Sequence, residues 1–431
     1  MVAMTFAILK KVMSFAVGYI NICGWLTLVT TEGFFAAQFI SAACVVASNG
    51  NYTVAAWKTY LIFMAVLTFG TLSMTFGNRI LGAWNNLALY WSILSVFVAS
   101  VVLLSTSDKT DPEFVFATFQ NETGWNDGIA WILGLLQSAL SLIGYDAVLH
   151  MTEEMPTPSR DAPLAMVYAV GVGGTTGTIF VLVMLFCLTD LPGIVATSTG
   201  MPIVELILQA TGSRAGTTFL TLMLAICFIH GTNGSITSAS RLLYAMARDK
   251  GIFYHDYFSH IHPKWEVPIR TIVLTWVFNA IFGLLYLGPT VAFNAFISSC
   301  TILLNMSYAI PILTLIVRGR DVLTQYQTIE TPWKFGKVRG LIINYIAVLY
   351  VFITSIFFCF PPVLPVSASL MNYVSGVIGI FAIFLIGYWV AYGKRTFEGP
   401  QLDIILGERP ELCEATDELA MEEKQVESRK E

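Results

Sequence analysis

Two carboxylate residues lie inside long apolar runs, where an acid is unusual. Glu32 belongs to the run 13–46, and Asp146 belongs to the run 129–149, two residues after Gly144. A carboxylate in apolar surroundings needs a hydrogen-bond partner, a cation or a proton. Glycine weakens a helix, and a broken helix leaves backbone N–H and C=O groups facing a cavity. Gly144 and Asp146 together therefore indicate a polar site that binds an ammonium group or takes a proton.

A second polar group follows Gly231 in the run 215–240 and is small and hydroxylated, with Thr232 and Ser235 among its members. Such hydroxyls either let two helices approach closely or supply oxygen ligands to a cation or substrate, and the spacing leaves both open. Glu32 is open in the same way. It either caps a helix irregularity or bonds to a neighbouring helix while protonated, or it contacts substrate.

The composition explains why these acids are unusual. The chain has 431 residues, of which 56% are hydrophobic and 12% charged, with a mean hydropathy of +0.70. A soluble domain carries about 25% charged residues. With so few charged residues, the folded chain could not present a water-soluble surface, so most of its surface must face lipid. The composition excludes a soluble enzyme. No nucleophile–base pair, metal-ligand spacing or cofactor motif is apparent, so we expect no enzymatic activity, no metal and no cofactor.

Ten runs approach or exceed the length of about 20 residues that a membrane helix needs. The sequence therefore predicts an all-α polytopic membrane protein. The first run is too long for one perpendicular crossing, so we expect it to tilt or to extend beyond the bilayer. The predicted spans are 13–46, 57–77, 85–105, 129–149, 164–187, 215–240, 269–287, 290–316, 340–360 and 371–392.

The basic residues predict the orientation of these spans. If the N-terminus is cytoplasmic and the spans alternate, 20 Lys and Arg residues lie inside and only Lys58, Lys109 and Arg214 lie outside. Basic residues concentrate on the cytoplasmic side of membrane proteins. The sequons at Asn51 and Asn121 both fall in outside loops. We therefore expect both termini to be cytoplasmic.

The net charge of −5 comes from the C-terminal tail. Residues 408–431 hold nine acids and four bases, which leaves equal numbers of acids and bases upstream. We expect the segment 393–431 to be a solvated acidic tail in the cytoplasm. No basic patch points to nucleic acid.

Three stretches carry a family resemblance: GYDAVLHMTEEMPTPSRDAPLAM at Gly144–Met166, SRLLYAMARDKG at Ser240–Gly251, and Pro-Ile-Arg at 268–270. They resemble the amino acid–polyamine–organocation superfamily, and more narrowly its fungal amino acid, choline and GABA permeases. The resemblance covers residues 1 to about 392.

The resemblance implies a LeuT-like architecture of twelve spans with a five-plus-five inverted repeat. The segments 13–46, 129–149 and 215–240 then correspond to the third, sixth and eighth helices of the family. The first two helices have no counterpart, so ten of twelve spans are expected, and we infer a truncated gene model or a fragment that starts at an internal methionine. If Met1 is instead the true start, we expect little or no transport. The resemblance divides the chain into a cytoplasmic segment 1–12, a transporter domain 13–392 and the tail. Within the domain, residues 13–105 form a partial first repeat and residues 129–316 form the second repeat. Residues 340–392 form two additional helices.

The resemblance also implies roles for particular residues. The unwound, substrate-facing stretch is Ile143, Gly144, Tyr145 and Asp146, and Leu140 falls where relatives often have a bulky gate. A second set of charged residues would lie at the cytoplasmic mouth, where salt links could close the inward face or the charges could simply be solvated: Glu153, Glu154, Arg241 and Arg248.

We therefore expect a secondary active transporter that imports a small amino-containing solute, such as an amino acid, GABA or choline, coupled to protons. Its partners are that solute, protons and the lipid bilayer, and the sequence indicates no oligomeric state. The plasma membrane is the first expectation for its location and the vacuolar membrane the second. The alternative is a truncated, non-transporting membrane protein or nutrient sensor of the same fold.

Overall fold

A computed structural model describes residues 2–288, 290–323, 331–368 and 370–399 of the chain. Within these ranges every regular element is helical, and ten helices are long and apolar enough to cross a membrane. We number them α1 Val2–Ala47, α2 Ala56–Phe76, α3 Leu81–Thr106, α4 Asp127–Leu142, α5 Pro158–Phe186, α6 Arg214–Arg248, α7 Ile269–Gly283, α8 Thr290–Arg318, α9 Lys337–Phe357 and α10 Val374–Tyr388. The all-α polytopic prediction is confirmed.

Shorter elements connect or extend these helices. A 3-10 helix, Tyr145–Glu154, continues the fourth span, and another, Leu284–Leu287, continues the seventh. The tenth span ends in a π-helical turn at Trp389–Gly393 and a short helix Lys394–Thr396. The remaining short elements are the α-helices Pro112–Phe116, Leu191–Val195, Pro202–Thr211 and His255–Phe258 and the 3-10 helices Asn78–Ile80 and Arg320–Val322.

The first helix is longer than a bilayer is thick. It has 46 residues, or about 69 Å at 1.5 Å per residue, against a hydrocarbon core of about 30 Å. It packs most extensively against α6, and also against α8, α2 and α7. It therefore forms the centre of the bundle, and its length agrees with the prediction that the first run tilts or extends beyond the membrane.

Glycines allow α1 to approach its neighbours closely. A Cβ atom at Gly24 would lie 2.7 Å from the side chain of Leu304 on α8, and one at Gly33 would lie 2.7 Å from the Phe63 ring on α2. Close van der Waals packing is the main source of helix association in lipid, because the acyl chains are as apolar as the side chains. These contacts hold α1 in place and so position the polar residues along it.

The outer surface of the bundle is apolar. Large hydrophobic side chains are exposed on the peripheral helices, among them Phe97 on α3, Ile346 on α9 and Ile383 on α10. Helices that are apolar on both their inward and outward faces are typical of membrane spans. The protein is therefore an integral membrane protein with a central polar site enclosed by lipid-facing helices.

Candidate functional site at the break in the fourth span

The fourth span is interrupted at the glycine that the sequence singled out. The α-helix ends at Leu142, Ile143 is extended, and Gly144 takes a left-handed conformation with φ 83° and ψ 4°. A residue with a side chain pays about 1–2 kcal/mol in this region, which glycine avoids. The chain resumes as the 3-10 helix that starts at Tyr145. The predicted break is confirmed, and the last carbonyls of α4 have no continuing α-helical turn to bond to.

The break buries the Asp146 side chain among hydrogen-bond partners from three spans. Asp146 is 3% exposed. Its Oδ2 accepts hydrogen bonds from Nδ2 of Asn21 and Nε1 of Trp25, both at 3.1 Å, and lies 3.2 Å from Nε2 of His150. Its Oδ1 accepts a 2.6 Å hydrogen bond from the hydroxyl of Tyr308. The acid faces protein, and its environment suits a negatively charged carboxylate, which can only accept hydrogen bonds.

The backbone at the break is bonded to the same residues. The Gly144 N–H donates to the Tyr308 hydroxyl at 3.3 Å, and Nδ2 of Asn21 also donates to Oγ of Ser307 at 2.8 Å. A side chain at Gly144 would come within 3.5 Å of the Trp25 ring. The site is therefore built by α1, the broken fourth span and α8, whereas the sequence pointed to α1, the fourth span and α6.

Aromatic rings surround the carboxylate. The Tyr145 and Tyr308 rings lie 4.8 Å apart between centroids, and the Trp25 indole packs edge-on to the His150 ring at 5.7 Å. Trp25 is 2% exposed. Aromatic faces attract cations through the ring quadrupole, and a nearby carboxylate adds Coulombic attraction. The chemistry of this cluster fits an ammonium group better than an anion.

Glu32 and its polar neighbours form a second cluster, between α1 and α6, that is separate from the cluster around Asp146. The Ser235 hydroxyl donates to Oε2 of Glu32 at 2.6 Å, and a Cβ atom at Gly231 would lie 3.1–3.2 Å from both carboxylate oxygens. Thr232 donates its hydroxyl to the Phe228 carbonyl of its own helix, at 2.8 Å. Seven residues separate Trp25 from Glu32, so Glu32 lies on the same face of α1, about 10 Å farther along the axis.

The charged residues predicted at one mouth are partly brought together. Arg241 binds Glu154 through two hydrogen bonds, at 2.7 Å from Nε to Oε1 and 3.2 Å from its terminal nitrogen to Oε2. Arg248 lies 3.8 Å from the carboxylate of Asp249. The side chain of Glu153 lies outside the described residues. The structure therefore contains one bidentate ion pair that joins the segment after the break to α6.

The remaining predicted residue, Leu140, is partly buried within the last turn of α4, one turn before the break.

A family model described as amino acid permease matches residues 1–383 of the chain. The chain belongs to the amino acid permease family. In this permease the polar cluster around Asp146 lies where the fourth membrane span is interrupted.

Three relatives illustrate the family. A Macrophomina phaseolina protein named as an amino acid/polyamine transporter is 34% identical over 83% of this chain and 80% of its own. The choline transporter of Saccharomyces cerevisiae is 33% identical over 79% of this chain, which spans only 60% of that protein's length. The amino-acid permease BAT1 of Arabidopsis thaliana is 28% identical over 91% of this chain and 78% of its own.

Four residues of the permease site were not singled out from the sequence: Asn21, Trp25, Ser307 and Tyr308. All are uncharged, and all lie within runs that were counted as apolar. Asn21 and Trp25 are four residues apart, which places them on one helix face. A search for uncharged hydrogen-bonding side chains at that spacing would have found them on α1.

Proposed function

We propose that this permease is a secondary active transporter that imports a small amino-containing solute, such as an amino acid, GABA or choline, coupled to protons. The observation that supports it best is the buried Asp146 carboxylate beside a helix break, among aromatic rings. Interrupted helices near the midplane are typical substrate sites of secondary transporters. The names of the relatives, which include amino acid, polyamine and choline transporters, support an amino-containing substrate.

In this proposal the substrate ammonium approaches Asp146 beside Trp25 and Tyr145. The carboxylate supplies the Coulombic attraction, and a desolvated aromatic face adds about 2 kcal/mol to cation binding. The ammonium would replace one of the groups that now crowd Oδ2, where Asn21, Trp25 and His150 meet. The exchange of one partner for another lets the site bind without leaving the carboxylate bare.

The ion pair between Arg241 and Glu154 is proposed as the gate on the cytoplasmic side. It joins the segment that follows the break to α6, and the Glu154 side chain is 58% exposed. The Arg241 side chain is only 12% exposed, but water at the Glu154 end screens the pair, which suits a contact that must break in each cycle. In this proposal both termini lie on the same cytoplasmic side as the gate. The membrane that holds the protein is the plasma membrane or the vacuolar membrane.

A second candidate is a non-transporting protein of the same fold, such as a nutrient sensor. One observation favours it: the Asp146 carboxylate already has four partners within the protein, as a purely structural acid would have. In that case the cluster would hold α1, α4 and α8 together, and bound solute would not cross the membrane.

Uptake into proteoliposomes separates the two candidates. The purified protein is reconstituted and given radiolabelled alanine, GABA, choline or putrescine, with and without an inward proton gradient. Import predicts that at least one solute accumulates with the gradient and exchanges in counterflow without it. A sensor predicts saturable binding in detergent and no accumulation or counterflow for any of the four.

A further inference from the structure

The carboxylates of Asp146 and Glu32, both inside the membrane region, differ in their hydrogen-bond partners. Within the described part of the chain, Asp146 has four hydrogen-bond partners, of which Asn21, Trp25 and Tyr308 donate to it and His150 has a role that depends on its tautomer. Over the same residues, Glu32 has one, the Ser235 hydroxyl at 2.6 Å. Ser235 belongs to α6, the helix against which α1 packs most extensively. Two titratable groups in contrasting environments divide acid–base roles between them.

Glu32 also lacks a compensating cation. Among the described residues, no Lys, Arg or His nitrogen lies within 4 Å of its carboxylate oxygens. His230 is on α6, but its ring packs against Trp84 of α3 at 4.7 Å. The titratable groups on the helices packed against α1 include Lys58 and Tyr60 on α2, Cys227, Arg241, Tyr244 and Arg248 on α6, Arg270 on α7, and Cys300, Tyr308 and Arg318 on α8. The segment after the break, which hydrogen-bonds to α1 through Asp146, adds Tyr145 and His150.

The space around Glu32 is tight. Gly231 is the residue opposite the carboxylate, and any side chain there would approach both oxygens to within 3.1–3.2 Å. Leu28 lies between Glu32 and the Asp146 cluster on the same face of α1 and is 6% exposed. A bare negative charge in such a place is costly, and the negative charge of Asp146 on the same side adds to the cost. A proton removes both costs.

We propose that Glu32 is the proton-binding site of this permease, while Asp146 stays ionised and receives the cationic group of the substrate. The proposal rests on the transport function proposed above. A carboxylate oxygen of Glu32 takes a proton from hydronium on one side of the membrane and returns it to water on the other. The Ser235 hydroxyl serves both states, because a hydroxyl can donate to the carboxylate or accept from the protonated acid.

The proton state of Glu32 would then control the contact between α1 and α6. The protonated acid fits the dry, close-packed interface at Gly231. The ionised acid needs water or a cation, which the interface admits only if the two helices separate at that point. Proton binding and release would thus be coupled to a movement of α6 against α1.

Infrared difference spectroscopy of the purified full chain tests the site without transport. Titration with acid and base monitors the carbonyl stretch of protonated carboxyl groups in wild type, Glu32→Gln, Asp146→Asn and the exposed control Glu113→Gln. We expect a titrating buried band in wild type, Glu113→Gln and Asp146→Asn that is absent from Glu32→Gln. A band that persists in Glu32→Gln, or no such band in wild type, would overturn the proposal. Ser235→Ala, which keeps the acid, should move the titration midpoint.

Transport in proteoliposomes tests the role of the proton, with alanine, GABA, choline and putrescine as the labelled probes. For a solute that wild type carries, Glu32→Gln should keep counterflow but lose at least about tenfold of its gradient-driven accumulation, with a flat pH profile. Accumulation equal to wild type would overturn the proposal. If wild type carries none of the four, the transport function fails, and the infrared result alone decides whether Glu32 binds the proton.

Discussion

The indole nitrogen of Trp25 on α1 lies 3.1 Å from Oδ2 of Asp146, a residue 121 positions later in the chain. This hydrogen bond joins the central helix to the interrupted span at the point where the backbone leaves the α-helix. It means that the acid, the aromatic ring and the helix break form one structural unit.

Replacement of Gly144 by alanine should destabilise the break. The left-handed conformation at φ 83° costs an alanine about 1–2 kcal/mol, whereas asparagine tolerates it better. We expect Gly144→Ala to lower the thermal unfolding temperature in detergent and to reduce uptake, and Gly144→Asn to do so less. Gly134→Ala in the middle of α4, where open space surrounds the glycine, is the matched control and should be neutral or stabilising. Equal stability of Gly144→Ala and Gly134→Ala would contradict the argument.

Removal of the Tyr308 hydroxyl should loosen the carboxylate. Tyr308→Phe deletes the 2.6 Å hydrogen bond to Asp146 and the acceptor for the Gly144 N–H. A hydrogen bond to a charged group contributes about 1.5–3 kcal/mol, so the free energy of unfolding should fall by an amount in that range. Denaturant titration in detergent measures it. Tyr90→Phe, at a residue 70% exposed on α3, should leave stability unchanged; a similar loss in both variants would count against the assignment.

Charge exchange tests the proposed gate. Glu154→Arg and Arg241→Glu each place two like charges together and should change the uptake rate by about fivefold or less, because water at the exposed Glu154 end screens the charges. The double variant should recover most of the wild-type rate. The same exchange at Asp321 and Lys337, whose side chains are 75% and 72% exposed, should have no effect on uptake. A double variant no better than the singles would show that the pair does not act as a gate.

The approach of α1 to α8 should tolerate no added carbon at Gly24. A Cβ there would lie 2.7 Å from the Leu304 side chain and 3.2 Å from its backbone nitrogen. Overpacking of this kind costs about 1–3 kcal/mol. Gly24→Ala should therefore lower the unfolding temperature, and Gly82→Ala, which has open space around it, should not. Retention of full stability in Gly24→Ala would mean that the helices can shift apart freely.

The sequence was sufficient for the spans and for the break. Each of the ten predicted runs matches a membrane helix, because hydropathy over about 20 residues directly reflects the bilayer. The break at Gly144 could be predicted because a helix-weakening residue stood two positions before an acid. Both depend only on residues that are close together in the sequence, so they do not depend on how the helices pack against each other.

The partners of Asp146 could not be predicted in the same way. Asn21, Trp25 and Tyr308 are 125, 121 and 162 positions away from it. Which residue on α1 or α8 reaches the acid depends on how the helices are shifted and rotated against each other, and close contacts such as Gly24 with Leu304 set that register. Hydropathy runs contain no information about register. Helix α8, which supplies Tyr308, was therefore not among the spans whose polar residues the sequence singled out.

The central claim is that Asp146 binds the substrate cation. Uptake kinetics of wild type and Asp146→Asn test it most directly, with the solute that wild type carries best and with folding checked by size-exclusion chromatography. The account predicts that the variant is folded and inserted but that kcat/KM falls by at least about tenfold, since the attraction for the ammonium group is lost. Unchanged kcat/KM in the folded variant would contradict it.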